Sequence, residues 1–88
     1  MGSSHLTIAQ QGRLEELRTL MASGEYQDEF QAVFPHHLSS SSILLFKRNA
    51  VGVTSLPCDE ADFLALVQQG YITIVRQTHE TYWGYVTP

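Results

Sequence analysis

The sequence has a single cysteine, Cys58, among 88 residues, so no disulfide can form within the chain. A lone free thiol is typical of proteins from a reducing compartment, and we expect a cytoplasmic protein. Long apolar runs are also missing, since a stretch such as residues 43–46 is far too short to cross a bilayer. The first residues lack the basic and apolar regions of a signal peptide. Association with a membrane is therefore not expected.

Positive charge is scarce as well. Five Lys and Arg stand against nine Asp and Glu, which gives a net charge of −4. One basic pair, Lys47-Arg48, is present, and Arg76 stands alone. Because affinity for duplex DNA comes largely from cations that displace counterions, duplex DNA is not expected as a partner. A hydrophobic fraction of 43% nevertheless indicates a folded globular chain rather than a disordered one.

The length of the chain limits its domain organisation. Residues 1–5 resemble the start of an expression tag, and we predict that residues 1–6 are disordered or tag-like. Residues 7–88 are expected to form one small domain, because a chain of this length supports a single thin core.

Two helices are predicted in the N-terminal part of the chain. Thr7-Ile8-Ala9-Gln10 indicates a capping box, and an apolar stripe with three- and four-residue spacing follows it. This pattern predicts a helix over residues 8–22 that stops at Ser23-Gly24. A second helix is predicted over residues 25–34, because aromatic residues recur four apart, acidic residues occupy the first turn and Pro35 follows.

Residues 36–42 are predicted to be a polar loop, and residues 43–56 leave two interpretations open. One is a β-hairpin with strands at residues 43–47 and 51–54. The other is a helix over residues 42–50 followed by Gly52-Val53-Thr54 as the turn of a helix-turn-helix. We favour the hairpin, because β-branched residues prefer strands and a run of four apolar residues suits a central strand.

The C-terminal third predicts a helix and a second hairpin. Asp59 is a good N-cap for a helix over residues 57–69, and Gly70 provides its stop. Strands are predicted at residues 71–75 and 82–86, with His79-Glu80 at the turn. The expected fold is α+β: two N-terminal helices followed by ββαββ, with an antiparallel sheet covered on one face by helices.

The segments DEADFLALVQQGYITIV and TYWGYV resemble the recognition helix, glycine and wing hairpin of winged helix-turn-helix proteins, and cover about a third of the chain. The resemblance implies an alternative function, a winged-helix-type nucleic-acid regulator with Lys47, Arg48 and Arg76 as candidate contacts. The electrostatics argue against it, because the helix expected to enter the groove begins with three carboxylates and carries no Lys or Arg.

Catalytic, cofactor and metal sites are not predicted. Cys58 is interpreted as a packing residue, because the carboxylates that follow it disfavour a thiolate. The histidines do not show the spacing of metal ligands, and His79-Glu80 is interpreted as a turn. The four histidines are His5, His36, His37 and His79.

The strand at residues 82–86 carries the candidate binding residues Tyr82, Trp83 and Tyr85. Alternation places Tyr82 and Gly84 on one face and Trp83 and Tyr85 on the other. Helices on one side bury one face only, so the rings either wrap the sheet edge or form a contact surface. From this strand and the acidic helices we predict a small non-catalytic interaction or regulatory protein. Its expected partner is another protein or a second copy of the chain, paired through this strand as an edge.

Overall fold

The computed structural model describes residues 6–36 and 41–88. Its elements in chain order are α1 (Ile8–Ala22), β1 (Phe30–Val33), β2 (Ser42–Phe46), β3 (Val53–Pro57), α2 (Glu60–Gln68), β4 (Ile72–Gln77) and β5 (Thr81–Val86). The five strands form one antiparallel sheet in the order β3-β2-β1-β5-β4. The α+β class is confirmed. Predictions for residues 1–5 and 37–40 fall outside the described residues.

The first helix begins and ends where the sequence predicts. The Gln10 N–H donates to Thr7 Oγ1 at 3.1 Å, and the Thr7 N–H donates to Gln10 Oε1 at 3.0 Å, so the capping box is present. After the C-cap Ser23, Gly24 takes a φ of 79°, a left-handed conformation that other residues adopt at a steric cost. Reciprocal capping and a glycine stop therefore define α1.

The second predicted helix, over residues 25–34, is wrong. Phe30–Val33 forms β1, the central strand of the sheet, which pairs with β2 on one side and β5 on the other. The burial follows a strand repeat, with Phe30, Ala32 and Phe34 buried and the residues between them partly exposed. Strand pairing with residues far along the chain outweighs the helical spacing of the aromatic side chains. The order is therefore α1, three strands, α2 and two strands.

The hairpin interpretation of residues 43–56 is confirmed, but the predicted bounds of its second strand, residues 51–54, are wrong, because β3 runs from Val53 to Pro57 and residues 51–52 belong to the turn. β2 and β3 pair in register from Ser42↔Pro57 to Phe46↔Val53, and the Lys47 N–H donates to the Gly52 carbonyl at 3.0 Å across the turn. The alternative helix over residues 42–50 is wrong, because these residues include β2. The helix-turn-helix needed for a winged-helix fold is therefore absent from this segment.

The helix α2 begins later than predicted and ends at the predicted glycine. Asp59 is its N-cap, although the Asp59 side chain makes no capping hydrogen bond. At the other end the Gly70 N–H donates to the Val67 carbonyl at 3.0 Å and the Tyr71 N–H donates to the Leu66 carbonyl at 2.9 Å. This pair of bonds is the Schellman motif, and it turns the chain into β4.

Both helices pack on the same face of the sheet, as predicted. Leu17 of α1 and Phe63 and Leu66 of α2 are fully buried in one cluster with side chains from the strands. The strand residues of the cluster are Phe30, Ala32, Ile43, Leu45, Leu56 and Ile72.

In the described part of the chain, neither helix is long and apolar enough to span a membrane.

Substitutions at two separate glycines, Gly84 and Gly12, test how closely β5 packs against β4. A Cβ at buried Gly84 would collide with the backbone carbonyl of Thr73, which cannot move aside without disturbing the pairing. We expect Gly84→Ala to lower the free energy of unfolding by about 1–3 kcal/mol in urea titrations. Gly12→Ala is the control, because Gly12 is an exposed helical position with open space around it. It should raise stability by about 0.5–1 kcal/mol. Equal effects of the two substitutions would contradict the close approach.

Candidate functional site

The sheet has a second face, opposite the helices, which we call the open face. Its central row crosses all five strands through paired residues of β4, β5, β1, β2 and β3. These residues alternate along the strands with the residues of the core cluster, so they project away from the helices. The row consists of Arg76, Trp83, Gln31, Leu44 and Ser55.

The open face is more apolar than the solvated side of an antiparallel sheet usually is. Trp83 is partly buried, Tyr85 is 37% exposed and Val53 is 52% exposed. Val33, Leu44 and Phe46 are partly buried on this face and are not members of the core cluster. An apolar surface that does not contribute to the core is a feature of binding sites.

The Arg76 side chain stacks on the Trp83 ring on the open face. The guanidinium carbon of Arg76 lies 4.1 Å from the centre of the Trp83 ring, which is a cation–π contact. A bulge between Ile74 and Arg76 shifts the register of β4, and Arg76 then pairs with Trp83 across the strands. The bulge therefore directs the arginine onto the tryptophan.

Alternation along β5 separates the three predicted binding residues. Trp83 and Tyr85 lie on the open face, whereas the partly buried Tyr82 packs on the helix side. The Tyr82 ring centre is 5.9 Å from that of Phe34 and 5.4 Å from that of Phe63. Tyr82 therefore belongs with the core packing. The prediction that this strand is an exposed edge is wrong, because β5 lies between β1 and β4.

The acidic helices do not extend the aromatic surface. Glu15 and Glu16 lie on α1 and approach Arg18 at 3.7 Å and Arg13 at 2.6 Å. On α2, the Asp62 carboxylate accepts a 3.1 Å hydrogen bond from Gln10, which links the two helices. Both helices pack on the face opposite Trp83. One compact partner surface cannot contact both features.

The predicted nucleic-acid contacts are not brought together. The Arg48 side chain donates to the Tyr26 carbonyl at 3.2 and 2.9 Å and to Asp28 Oδ1 at 2.8 Å. Lys47 is exposed next to the end of β2, whereas Arg76 is on β4, three strands away, or about 14 Å at the usual strand spacing. These cations do not form a continuous basic patch.

The structure brings two histidines and a glutamate together, which the sequence analysis missed. His36 follows β1, and His79 and Glu80 form the β4–β5 turn. The His36 backbone N–H donates to Glu80 Oε2 at 2.8 Å across 44 positions of sequence, and the His36 and His79 ring centres are 4.8 Å apart. The interpretation of His79-Glu80 as a turn alone is therefore incomplete. His5 and His37 are outside the described residues.

Cys58 is a buried packing residue in front of α2, as the sequence suggests. Its exposure is 5%, and the Ser41 hydroxyl donates to the Cys58 carbonyl at 2.9 Å. Burial raises the pKa of the Cys58 thiol to about 11, and the Asp62 carboxylate adds to the increase while Arg13 opposes it. A thiol in this state is a poor nucleophile near neutral pH.

The raised pKa predicts how stability depends on pH. The pKa of the Cys58 thiol is about 11 in the folded chain and 9.0 at its ordinary value, so the folded chain holds this proton more tightly than the unfolded chain does. The stability that the protonated thiol contributes is therefore complete below pH 9 and is lost as pH rises from 9 to 11. The shift corresponds to roughly 2–3 kcal/mol. We expect the difference in unfolding free energy between the parent chain and Cys58→Ala to decrease over this range. Half-ionisation of the thiol at or below pH 9 in the folded chain, measured by thiolate absorbance, would contradict this.

Comparison with protein-family models finds no match, and comparisons with curated proteins and with solved structures find no significant match either. The open face and the histidine–glutamate cluster are the two features from which a role is inferred.

Proposed function

We propose that this chain is a small non-catalytic interaction domain that binds a protein partner through the open face. Trp83 and Tyr85 act as the anchors, and the partner is regulated, inhibited or neutralised by the contact, in the manner of an immunity or antitoxin protein. The observation that carries the proposal is the apolar open face with its Trp83–Arg76 contact, on the side of the sheet away from both helices.

Residue type and rigidity support these anchors. Trp, Tyr and Arg are the residues that contribute most often to interface hot spots. The backbone of Trp83 is paired with Gln31 on one side and Arg76 on the other, and its ring is already held by the guanidinium group. Little conformational freedom remains to be lost on binding, which favours affinity.

The composition of the open face defines the chemistry of the partner. Arg76 is the charged residue of the central row, and the other positions are apolar or neutral polar. The complementary surface is flat and largely apolar, with one carboxylate positioned for the Arg76 guanidinium. The row contains no acidic residue, and the net charge of −4 on the whole chain disfavours partners that are acidic over a wide surface.

A nucleic-acid role has less support. Single-stranded nucleic acid could stack on Trp83 and Tyr85, but sites of this kind combine stacking with a basic groove. The Arg48 side chain cannot readily contribute to such a groove, because it already donates hydrogen bonds to Tyr26 and Asp28. A shallow depression of about 410 Å³ beside α1 does not favour catalysis, because two of its polar side chains, Glu15 and Arg18, pair with each other. We propose a cytoplasmic location, because the single thiol stays reduced there.

The anchor role predicts a specific loss of binding. The chain is immobilised to isolate a partner, which is then purified and titrated by calorimetry. Trp83→Ala should weaken binding by about 2 kcal/mol or more, roughly 30-fold, while circular dichroism and the unfolding midpoint stay close to those of the parent chain.

Two controls accompany this titration. Thr19→Ala changes an exposed position on α1 and should leave the affinity unchanged. Tyr82→Ala removes a ring from the core side and should lower stability. If sedimentation shows a dimer that Trp83→Ala dissociates, the partner is a second copy. Full affinity in Trp83→Ala, or its unfolding, would refute the anchor role.

A further inference from the structure

We infer that His36, His79 and Glu80 form a binding site for a divalent transition-metal ion of the zinc type. One ligand atom from each of the three residues lies within 4.8 Å of the others. This site is separate from the open face and does not depend on the proposed function.

Backbone hydrogen bonds set the positions of the three residues. The Phe34 N–H donates to the Glu80 carbonyl at 2.8 Å, just beyond the β1–β5 pairing. The Thr78 N–H donates to the Thr81 carbonyl at 2.8 Å and closes the β4–β5 turn. These bonds hold the end of β1 against the turn that carries His79 and Glu80.

The separations between the ligand atoms are close to those needed to coordinate one metal ion. Zn²⁺ binds imidazole nitrogen at about 2.0–2.1 Å and carboxylate oxygen at about 2.0–2.2 Å, so tetrahedral ligand atoms lie roughly 3.4 Å from one another. His36 Nδ1 is 3.9 Å from Glu80 Oε2. The His36 side chain is 48% exposed and that of Glu80 is 30% exposed, so small rotations can bring the ligand atoms to the required separation.

The donor set selects the class of ion. Two imidazole nitrogens and one carboxylate suit Zn²⁺ and similar transition metals, whereas Mg²⁺ and Ca²⁺ require oxygen ligands. Three protein ligands leave one tetrahedral position for water. A bound ion would link the end of β1 to the β4–β5 turn and stabilise the folded chain.

The test is calorimetric titration of the full chain with ZnCl₂, and with MgCl₂ for comparison. We expect one Zn²⁺ per chain, no binding of Mg²⁺, and a melting temperature that rises with zinc concentration. His36→Ala and His79→Ala should each weaken zinc binding by roughly tenfold or more and reduce the rise in melting temperature at a given zinc concentration.

Two further variants separate ligation from other effects. Glu80→Gln keeps an oxygen that can accept the bond from the His36 backbone N–H but removes the carboxylate ligand, so zinc binding should weaken. His5→Ala removes a histidine that is not one of the three proposed ligands and should bind zinc like the parent chain. The inference is overturned if the parent chain does not bind zinc, if His79→Ala binds it equally well, or if His5→Ala loses it.

Discussion

The structure depends above all on the pairing of β1 with β5, which joins residues 30–33 to residues 81–84. β1 lies between the β2–β3 hairpin and the β4–β5 hairpin, so this ladder joins the two hairpins into one five-stranded sheet. Its register places Phe30 opposite Gly84 and Gln31 opposite Trp83. The same register therefore decides which side chains enter the core and which lie on the open face.

The two proposed sites are both consequences of this ladder. Along β5, alternation directs Tyr82 toward Phe63 and the helices, and it directs Trp83 to the other side, where Arg76 covers it. Beyond the last pair, the ladder continues into the Phe34–Glu80 backbone bond, which brings His36 to Glu80. The core uses one face of a thin sheet, and the aromatic side chains on the other face carry the proposed partner contact.

Local features of the fold could be predicted from the sequence, and non-local ones could not. The capping box at Thr7, the Gly70 stop and both hairpins were predictable because their signals lie within a few neighbouring residues. β1 was missed because Tyr26, Phe30 and Phe34 are four residues apart, a spacing that fits one helical turn and also two strand repeats. Its partners in β5 are about fifty residues away along the chain. The histidine cluster was missed for the same reason, since only the β1–β5 ladder brings its members together.

Nuclear Overhauser contacts measured on the isotope-labelled chain test this account most directly. The β1–β5 ladder predicts cross-strand backbone contacts between residues 31–33 and residues 81–83, together with chemical shifts typical of extended backbone throughout residues 30–33. Sequential helical contacts over residues 25–34, with no contact to residues 81–83, would contradict the central ladder and with it both proposed sites.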